Sequence, residues 1–315
     1  MSSPASRSTA QEGARPLATA NKLGAIDAAL LLVAVIWGLN TVVIKATYTQ
    51  IPIMAFMSLR FLLASALLLL VAWRTEHSLF VQRRHWLLFV AAGMASTGLY
   101  QPLFLNGLSL TTASTTALIV AASPAFVALI NRVLGRELLS GRGWLGIALA
   151  FAGIVLIVEG GGGVQAGSQH LLGDLMILAS TFLWACYVVM VAPLMKVYSP
   201  LRVTAIATAV GAVLPTLLGL PAVLALPFDQ VQWSGWAGVL YSALLAIVFS
   251  YVVWNMGVQR IGGSRTSLYA NLIPVIGAVA AAIFLGEALT PLKLAGAVII
   301  FFGLHLGRTA RVVRR

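Results

Sequence analysis

The chain has 315 residues, of which 60% are hydrophobic and only 9% are charged, and this composition excludes an ordinary soluble globular protein. The formal net charge is +12 at pH 7. The single cysteine, Cys186, excludes an intrachain disulfide and a multi-cysteine metal site. These properties predict an all-α polytopic membrane protein.

Ten apolar runs follow one another along the chain, each close to the roughly 17–25 residues that a membrane-spanning helix needs. In chain order they are 26–44, 53–73, 86–107, 112–134, 142–158, 172–192, 202–226, 234–256, 265–285 and 290–307. Residues 1–25 predict a disordered cytosolic tail without the segment order of a signal peptide, so we expect no cleavage. Residues 308–315 predict a short basic cytosolic tail.

The chain also contains an internal repeat, in which residues 106–157 align without a gap with residues 256–307. Identical residues at this offset of 150 (256 minus 106) include Gly107, Pro124, Glu137, Gly146 and Gly153, which correspond to Gly257, Pro274, Glu287, Gly296 and Gly303. Near the start of each copy, a Trp follows an Asp by ten residues, as Asp27 and Trp37 and as Asp174 and Trp184.

The repeat divides the chain into two five-helix halves, residues 26–158 and residues 172–307. Because five is odd, the second half must enter the membrane with the opposite orientation. The distribution of basic residues agrees with this inversion. Arg132, in a predicted cytosolic linker, aligns with the uncharged Ala282, as expected if the equivalent linkers face opposite sides of the membrane. Inverted repeats with a site between the halves are typical of secondary transporters.

Basic residues predict which side of the membrane faces the cytosol. Seventeen of the 20 Lys and Arg residues lie on the side of the N-terminus, whereas Lys45 and Lys293 lie opposite and Arg60 lies inside the second span. By the positive-inside rule both termini are cytosolic, and a bacterial inner membrane is the simplest location. A basic face of this kind suits the headgroups of the lipid bilayer, and we expect no nucleic-acid partner.

Two segments carry a family resemblance. They are Trp37-Gly38-Leu39-Asn40 with Lys45, Pro52, Phe56 and Arg60, and the run from Ala117 through Pro124, Leu134, Glu137 and Gly146 to Gly153. Residues 26–307 as a whole resemble a two-domain EamA-type member of the drug/metabolite transporter superfamily. The resemblance implies a ten-helix bundle in which the first four helices of each half surround a central cavity. It also implies transport, often export, of amino acids, related metabolites or drug-like compounds.

Polar and aromatic side chains lie near mid-span on the helices expected to line such a cavity. The substrate-binding candidates are Trp37, Asn40, Arg60, Tyr100, Gln101, Trp184, Tyr187, Tyr251, Asn255 and Asn271. A buried amide in a bilayer needs a partner, so each candidate alone could simply connect two helices. Together they predict an amphipathic cavity for a small organic molecule.

Arg60 is the one charged residue predicted well inside a span, about 10 Å from the extracytosolic end of the second helix by helical rise. An intramembrane arginine is costly and normally faces the bundle interior or a water-filled cavity. Two roles stay open at this point. Arg60 either has a structural role, by snorkelling outward or binding carbonyls at a helix end, or it binds a substrate carboxylate or phosphate by bidentate hydrogen bonds.

Four further residues have predicted positional roles. Pro124 and Pro274 occupy equivalent places inside the fourth and ninth spans, where proline removes a backbone hydrogen bond and bends the helix. They are either static bends or hinges that flex during gating. Asp27 and Asp174 are predicted to start the first and sixth helices and to cap their free N–H groups.

The remaining polar residues favour transport over other functions. No cluster of Asp, Glu and His and no nucleophile–base pair is recognisable, so we expect no catalytic site, no metal and no cofactor. A channel would need a continuous polar lining or charged rings. We therefore predict a transporter of a small-molecule substrate that works by alternating access. A lipid-translocating protein is the alternative, and an integral-membrane enzyme is less favoured. The sequence does not indicate the substrate, the direction, the coupling ion or the oligomeric state.

Overall fold

The computed structural model describes residues 24–135, 140–161, 168–261, 266, 269–270 and 272–309. Within these ranges all regular secondary structure is helical. Eight helices are long and apolar enough to cross a membrane, and two shorter apolar helices follow them. The chain is therefore an all-α integral membrane protein, because helices satisfy every backbone hydrogen bond inside a bilayer.

The helices follow the predicted spans to within several residues. In the first half they are α1 (Ala25–Thr47), α2 (Ile53–Glu76), α3 (Arg83–Leu110), α4 (Ala113–Val133) and α5 (Gly141–Gly160). In the second half they are α6 (Ser168–Leu194), α7 (Pro200–Leu224), α8 (Trp233–Leu240, Tyr241–Phe249 and Ser250–Ile261), α9 (Leu272–Leu285) and α10 (Pro291–Thr309). The predicted start of the ninth span, from residue 265, lies partly outside the described residues.

The capping prediction is correct for Asp27 and wrong for Asp174. The Oδ2 atom of Asp27 accepts a hydrogen bond from the backbone N–H of Gly24 at 3.1 Å, at the start of α1. By contrast, α6 begins at Ser168, six residues before Asp174 (174 minus 168), so this carboxylate lies too far into the helix to cap it. Instead, the Oδ1 atom of Asp174 accepts a hydrogen bond from the hydroxyl of Thr111 at 2.5 Å.

Pro124 lies at a break in α4. The helix stops at Val120 and starts again at Ser123, so Pro124 occupies the first turn of the second segment. In the first turn of a helix a backbone N–H has no carbonyl partner within the helix. Proline, which lacks this N–H, is therefore well tolerated there. Pro124 therefore lies at the start of a helical segment. The prediction that it bends an unbroken helix is wrong. Pro274 is the third residue of the described α9, and a hinge motion at either proline stays a prediction.

The third helix of each half contains a π-helical segment at an equivalent position. These segments are Met94–Gly98 in α3 and Tyr241–Phe249 in α8. Adding the repeat offset to residues 94–98 gives 244–248, which falls inside the second segment. A π-helical turn leaves a backbone carbonyl without its usual partner, and such turns are frequent at functional sites.

The helices of the two halves pack in reciprocal pairs. Helix α1 packs against α8 and α9, and its equivalent α6 packs against α3 and α4. Helix α2 packs against its own counterpart α7, and α5 packs against α10. This set of contacts is unchanged when the two halves are exchanged, so the repeat in the sequence is also a repeat in the packing.

Helices α5 and α10, which are equivalent in the repeat, run in opposite directions. A Cβ atom added to Gly153 of α5 would lie 2.6 Å from the carbonyl oxygen of Gly296 in α10, and one added to Gly303 would lie 2.6 Å from that of Gly146. Earlier residues of α5 therefore meet later residues of α10, and the two helices are antiparallel. The two contacts also exchange under the repeat offset, which is the geometry that an inverted repeat requires.

One ion pair ties the halves together at the end of the bundle where α1 ends and α10 begins. The carboxylate of Glu287 accepts hydrogen bonds from the backbone N–H groups of Ala113 and Ser114, both at 2.8 Å, and thereby caps α4. The Nζ atom of Lys45 lies 3.4 Å from the Oε1 atom of Glu287 and donates to the carbonyl of Thr111 at 2.6 Å. We call this the Lys45 end of the bundle.

A second ion pair lies at the opposite end, where α2 ends and α7 begins. The Nε atom of Arg202 donates to the Oε2 atom of Glu76 at 2.8 Å. The hydroxyl of Ser199 donates to the other carboxylate oxygen and also accepts from the backbone N–H of Arg202 at 3.1 Å, which caps α7. We call this the Glu76 end. Both ends thus connect the first half to the second by a charged group at a helix terminus.

The packing of α5 on α10 predicts the effect of enlarging Gly153. In Gly153→Ala the new methyl group meets backbone and the side chain of Ile300, so we expect a loss of about 1–3 kcal/mol in stability from overpacking. Gly141→Ala is the matched control, because a Cβ atom there meets nothing within 4 Å. Thermal unfolding of the purified protein in detergent measures both. An equal or higher melting temperature for Gly153→Ala would show that α5 and α10 do not approach this closely.

The cap at Glu287 predicts a pH-dependent stability. Burial by itself raises the pKa of Glu287, but the N–H groups of Ser114 and Ala113 and the charge of Lys45 outweigh it and lower the pKa below 4.5. A lowered folded-state pKa stabilises the fold above pH 4.5, and that stabilisation is lost as the pH falls further, through the folded-state pKa. We expect Glu287→Gln to lower the melting temperature at pH 7, with a gap to the wild type that narrows below pH 4.5.

The control for this comparison is Glu159→Gln, since Glu159 is exposed and forms no ion pair with any described residue. Its melting temperature should follow that of the wild type across the same pH range. A gap for Glu287→Gln that stays constant from pH 7 to the acid limit would contradict a role for the ionised carboxylate.

Candidate functional site

Aromatic side chains from four helices of both halves form one continuous cluster near the middle of the bundle. Helices α1 and α3 contribute from the first half, and α6 and α8 from the second. Each ring lies within 6.1 Å of another, measured between ring centroids. The aromatic cluster consists of Trp37, Tyr100, Trp184, Tyr187, Tyr251 and Trp254.

Trp184 of α6 lies at the centre of the aromatic cluster. Its ring centroid is 5.7 Å from that of Tyr100 in α3 and 6.1 Å from that of Tyr251 in α8. Tyr251 is in turn 5.9 Å from Trp37 of α1, in an edge-to-face arrangement. Tyr187 is buried, whereas the other five rings of the cluster are half-buried and keep some exposed surface. The aromatic cluster therefore lies where the two halves meet.

Arg60, from α2, borders the aromatic cluster and is only 3% exposed. Its Nη2 atom donates to the Oε1 atom of Gln101 at 3.0 Å. The guanidinium carbon lies 4.8 Å from the ring centroid of Phe61 and 5.3 Å from that of Phe56. This burial rules out the snorkelling role, and within the described part of the chain Arg60 binds no helix-end carbonyl.

The guanidinium of Arg60 is incompletely paired. Its Nε and Nη1 atoms are buried and have no hydrogen-bond acceptor among the described residues. Three tyrosines, Tyr48, Tyr100 and Tyr251, lie close enough to interact with it electrostatically. Tyr48 donates to the backbone carbonyl of Leu105 at 3.1 Å, whereas the hydroxyls of Tyr100 and Tyr251 bind no other described residue. The hydroxyls of Tyr100 and Tyr251, without other partners among the described residues, thus lie near the incompletely paired Arg60.

The two equivalent tryptophans differ in their hydrogen bonds. The indole N–H of Trp37 donates to the carbonyl of Ala246 at 2.7 Å, within the π-helical segment of α8. The neighbouring Asn40 accepts a hydrogen bond from Ser242 at 2.9 Å in the same segment. The indole N–H of Trp184 has no acceptor in the part of the chain that the structure describes. Trp37 therefore fastens α1 to α8, while Trp184 keeps a free donor in the aromatic cluster.

Other predicted candidates connect helices. The side-chain amide of Asn255 in α8 donates to the hydroxyl of Thr204 in α7. Thr204 thereby connects α7 to α8 beside the aromatic cluster. Asn271 lies outside the described residues.

The structure brings most of the predicted candidates to one place. Around the aromatic cluster and Arg60 lie Trp37, Arg60, Tyr100, Gln101, Trp184, Tyr187 and Tyr251. Asn40 and Asn255 lie on the same helices but use their amide groups in contacts between helices. Sequence reasoning missed Tyr48, because a tyrosine near a helix end is typical of the membrane interface. It also missed Thr204, since a hydroxyl inside an apolar run carries no periodic signal.

Comparison with known proteins identifies relatives over most of the chain. The EamA-like transporter family matches residues 25–159 and again residues 171–307. A "probable amino-acid metabolite efflux pump" of Salmonella typhimurium is 30% identical over 300 residues, which cover 90% of this chain and 96% of the relative. An "uncharacterized transporter" of Archaeoglobus fulgidus is 31% identical over 278 residues, covering 88% and 95%. The "uncharacterized transporter YyaM" of Bacillus subtilis is 28% identical over 246 residues, covering 78% and 80%.

A solved crystal structure shares the fold. It superposes with a TM-score of 0.63 at 16% sequence identity and covers 90% of this chain and 96% of its own. The matched family and these named relatives are transporters rather than enzymes. Two matches to the family, one for each half, fit the two halves that pack reciprocally in the structure. The chain belongs to the EamA-like transporter family and is a transmembrane transporter.

Proposed function

We propose that the chain is an exporter with ten membrane spans, arranged as two inverted five-helix repeats, that works by alternating access. Eight long apolar helices and two shorter ones at the predicted positions support the ten spans. The antiparallel packing of α5 on α10 supports the inversion, because these helices are equivalent in the repeat. In alternating access, helices of both halves would move around the site between them and open it to one side of the membrane at a time.

Both termini face the cytosol in this proposal, and the membrane is a bacterial inner membrane. The support comes from the 17 basic residues on the side of the N-terminus, against two on the other. The Lys45 end is then extracytosolic and the Glu76 end cytosolic. Among the described residues each end carries an ion pair between the halves, so opening toward either side requires breaking the contacts at that end.

The substrate binds between the aromatic cluster and Arg60. The observation that carries this assignment is that two of the three guanidinium nitrogens of Arg60 are buried without an acceptor. A buried donor left unpaired costs about 1–3 kcal/mol, so a substrate oxygen that pairs with it gains affinity. A carboxylate is the natural partner, since it accepts charge-assisted hydrogen bonds from a guanidinium. Tryptophan and tyrosine rings provide flat apolar surface for the rest of the substrate.

The substrate class is a small organic metabolite related to amino acids. The Salmonella relative is named a probable efflux pump for amino-acid metabolites, and the alignment covers nearly its whole length. Its name also supports export as the direction. The aromatic cluster and Arg60 fit a molecule that combines a carboxylate with an apolar body.

Accessibility of introduced cysteines tests the inverted topology. In a background of Cys186→Ser, we expect Leu138→Cys to react only from the cytosolic side and Ala288→Cys only from the opposite side. The two positions are equivalent in the repeat (288 minus 138 is the offset of 150), so inversion must place them on opposite sides. A membrane-impermeant maleimide applied to intact cells and to inverted vesicles measures the reaction. Labelling of both cysteines from the same side would disprove the inverted arrangement.

Transport by three variants in proteoliposomes tests the substrate site, with a metabolite panel and a labelled phospholipid as candidate cargoes. We expect Arg60→Lys to lower transport about 10–100-fold per folded molecule, because a lysine keeps the charge but not the guanidinium hydrogen bonds. Trp184→Phe should lower transport roughly fivefold and should lower the melting temperature less than Trp37→Phe does, since both variants shrink a half-buried ring but only Trp37 loses a hydrogen bond to a protein acceptor.

Trp37→Phe is the matched control for Trp184→Phe. It removes the donor to the Ala246 carbonyl, so we expect its main effect to be a lower melting temperature. Near-native transport by both Arg60→Lys and Trp184→Phe would reject this site. Movement of the phospholipid alone, with no transport of any metabolite, would favour a lipid-translocating protein instead.

A further inference from the structure

Resting on the transport function proposed above, we propose that the site selects a monoanionic carboxylate over the corresponding zwitterionic amino acid. The preferred substrate is thus an amino-acid metabolite whose amine is blocked or missing. Export of such a substrate moves one negative charge outward in each cycle. The proposal concerns the charge of the substrate, which the family and the relatives do not specify.

The first argument is the location of the acidic residues. The six of the eight Asp and Glu residues that the structure describes lie in linkers or toward helix ends: Asp27, Glu76, Glu159, Asp174, Asp229 and Glu287. Asp27 and Asp174 share helices with Trp37 and Trp184 but precede them by ten residues, about 15 Å by helical rise. No carboxylate among the described residues is therefore placed to pair with an ammonium group in the aromatic cluster.

The acidic residues nearest in sequence to the cluster also have partners of their own. The carboxylate of Asp27 accepts hydrogen bonds from the hydroxyl of Tyr269 at 2.6 Å and from Gly24. The carboxylate of Asp174 accepts from Thr111 at 2.5 Å. These bonds hold both carboxylates at opposite ends of the bundle, away from the site between the halves.

The second argument is the hydrogen-bonding character of the groups that are present. The Nε and Nη1 atoms of Arg60 and the indole N–H of Trp184 are donors without a protein acceptor in the described chain. Guanidinium and indole nitrogens can only donate. These nitrogens therefore match the acceptors of an anion, while the neutral hydroxyls of Tyr100 and Tyr251 can donate as well as accept and so do not favour a cation.

The third argument is the short distance between the charges of an amino acid. Its ammonium group is attached to the carbon next to the carboxylate, so a guanidinium that binds the carboxylate also lies close to the ammonium. Like charges repel strongly where the effective dielectric is low. A ring of the aromatic cluster can attract an ammonium, but this attraction is weaker than the repulsion between two full like charges at a similar distance. A blocked or missing amine removes this repulsion and leaves the carboxylate contact intact.

Selection of a monoanion also supplies a driving force. A membrane potential that is negative inside favours the exit of an anion, and 100 mV acting on one charge corresponds to a concentration ratio of about 50. Such export needs no carboxylate that carries protons across the membrane. The charge of the substrate would thus replace a coupling ion.

Binding of matched probes to the full-length protein in detergent tests the selection. The probes are 3-phenylpropionate, L-phenylalanine and L-phenylalaninamide, which share a benzyl group and carry a negative, a zero and a positive net charge. We expect 3-phenylpropionate to bind at least about tenfold more tightly than L-phenylalanine, and the amide to bind weakest, by isothermal titration calorimetry. In Arg60→Gln, checked for folding by its melting temperature, the preference should disappear.

Each other outcome of the binding experiment counts against the proposal. Equal or tighter binding of L-phenylalanine would show that the site accommodates an ammonium. An unchanged preference in folded Arg60→Gln would show that another group selects the charge. Failure to detect binding of both 3-phenylpropionate and N-acetyl-L-leucine would show that the site does not bind simple carboxylates.

Transport under an imposed potential distinguishes this inference from the proposed function. N-acetyl-L-phenylalanine should enter proteoliposomes several-fold faster when valinomycin and a potassium gradient make the interior positive, and protein-free liposomes should show no such increase. Uptake that is mediated by the protein but indifferent to the potential would overturn this inference and leave the transporter intact. Absence of transport of every compound in the panel would instead overturn the proposed function.

Discussion

Close contact between glycines of opposite halves is the constraint on which the rest of the structure depends. Inside a bilayer, apolar side chains gain little by leaving lipid for protein, so helices associate through tight backbone packing at small residues. Glycine pairs make such contacts between the first and the second half, among them Gly38 with Gly277, Gly93 with Gly211, Gly107 with Gly173, Gly146 with Gly303, and Gly153 with Gly296. They fix the separation of the halves, and with it the width of the site between them.

The helices of the two halves pack symmetrically, but the side chains of the candidate site between them are not symmetric. The repeat places Trp37 and Trp184 at equivalent positions, yet only Trp37 donates to a backbone carbonyl of the other half. Gln101, which binds Arg60, is equivalent to Tyr251 in the repeat (101 plus 150). The same backbone position thus provides an amide in one half and a phenol in the other. A transporter can keep a two-fold frame for its motion and still place a cation on one side of the site only.

The sequence predicts the positions of the helices better than it predicts the contacts between their side chains. Hydropathy and the repeat locate the described helix ends to within several residues, because lipid demands long apolar segments and paired backbone groups. The π-helical segments could not be predicted, since they arise from the packing of α3 and α8 and leave no compositional signal. The cap predicted at Asp174 is wrong because α6 begins at Ser168, six residues earlier. Most of the residues between these two positions were predicted to be a linker. Most candidate site residues were found because polar groups at mid-span are rare, but their partners depend on helix rotation, which a repeat alone does not specify.

The hydrogen bonds of the α8 π-helical segment decide which parts of the molecule can move as a unit. Trp37 and Asn40 of α1 bind this segment, and the hydroxyl of Tyr241 donates to the carbonyl of Ile36 at 2.9 Å. Helix α1 of the first half is thereby fastened to α8 of the second. A rocking motion that separated the two sequence repeats would have to break all three bonds in the middle of the membrane. The rigid bodies of such a motion are then mixed ones, each built from helices of both repeats, and the boundary between them does not coincide with the boundary between the duplicated halves.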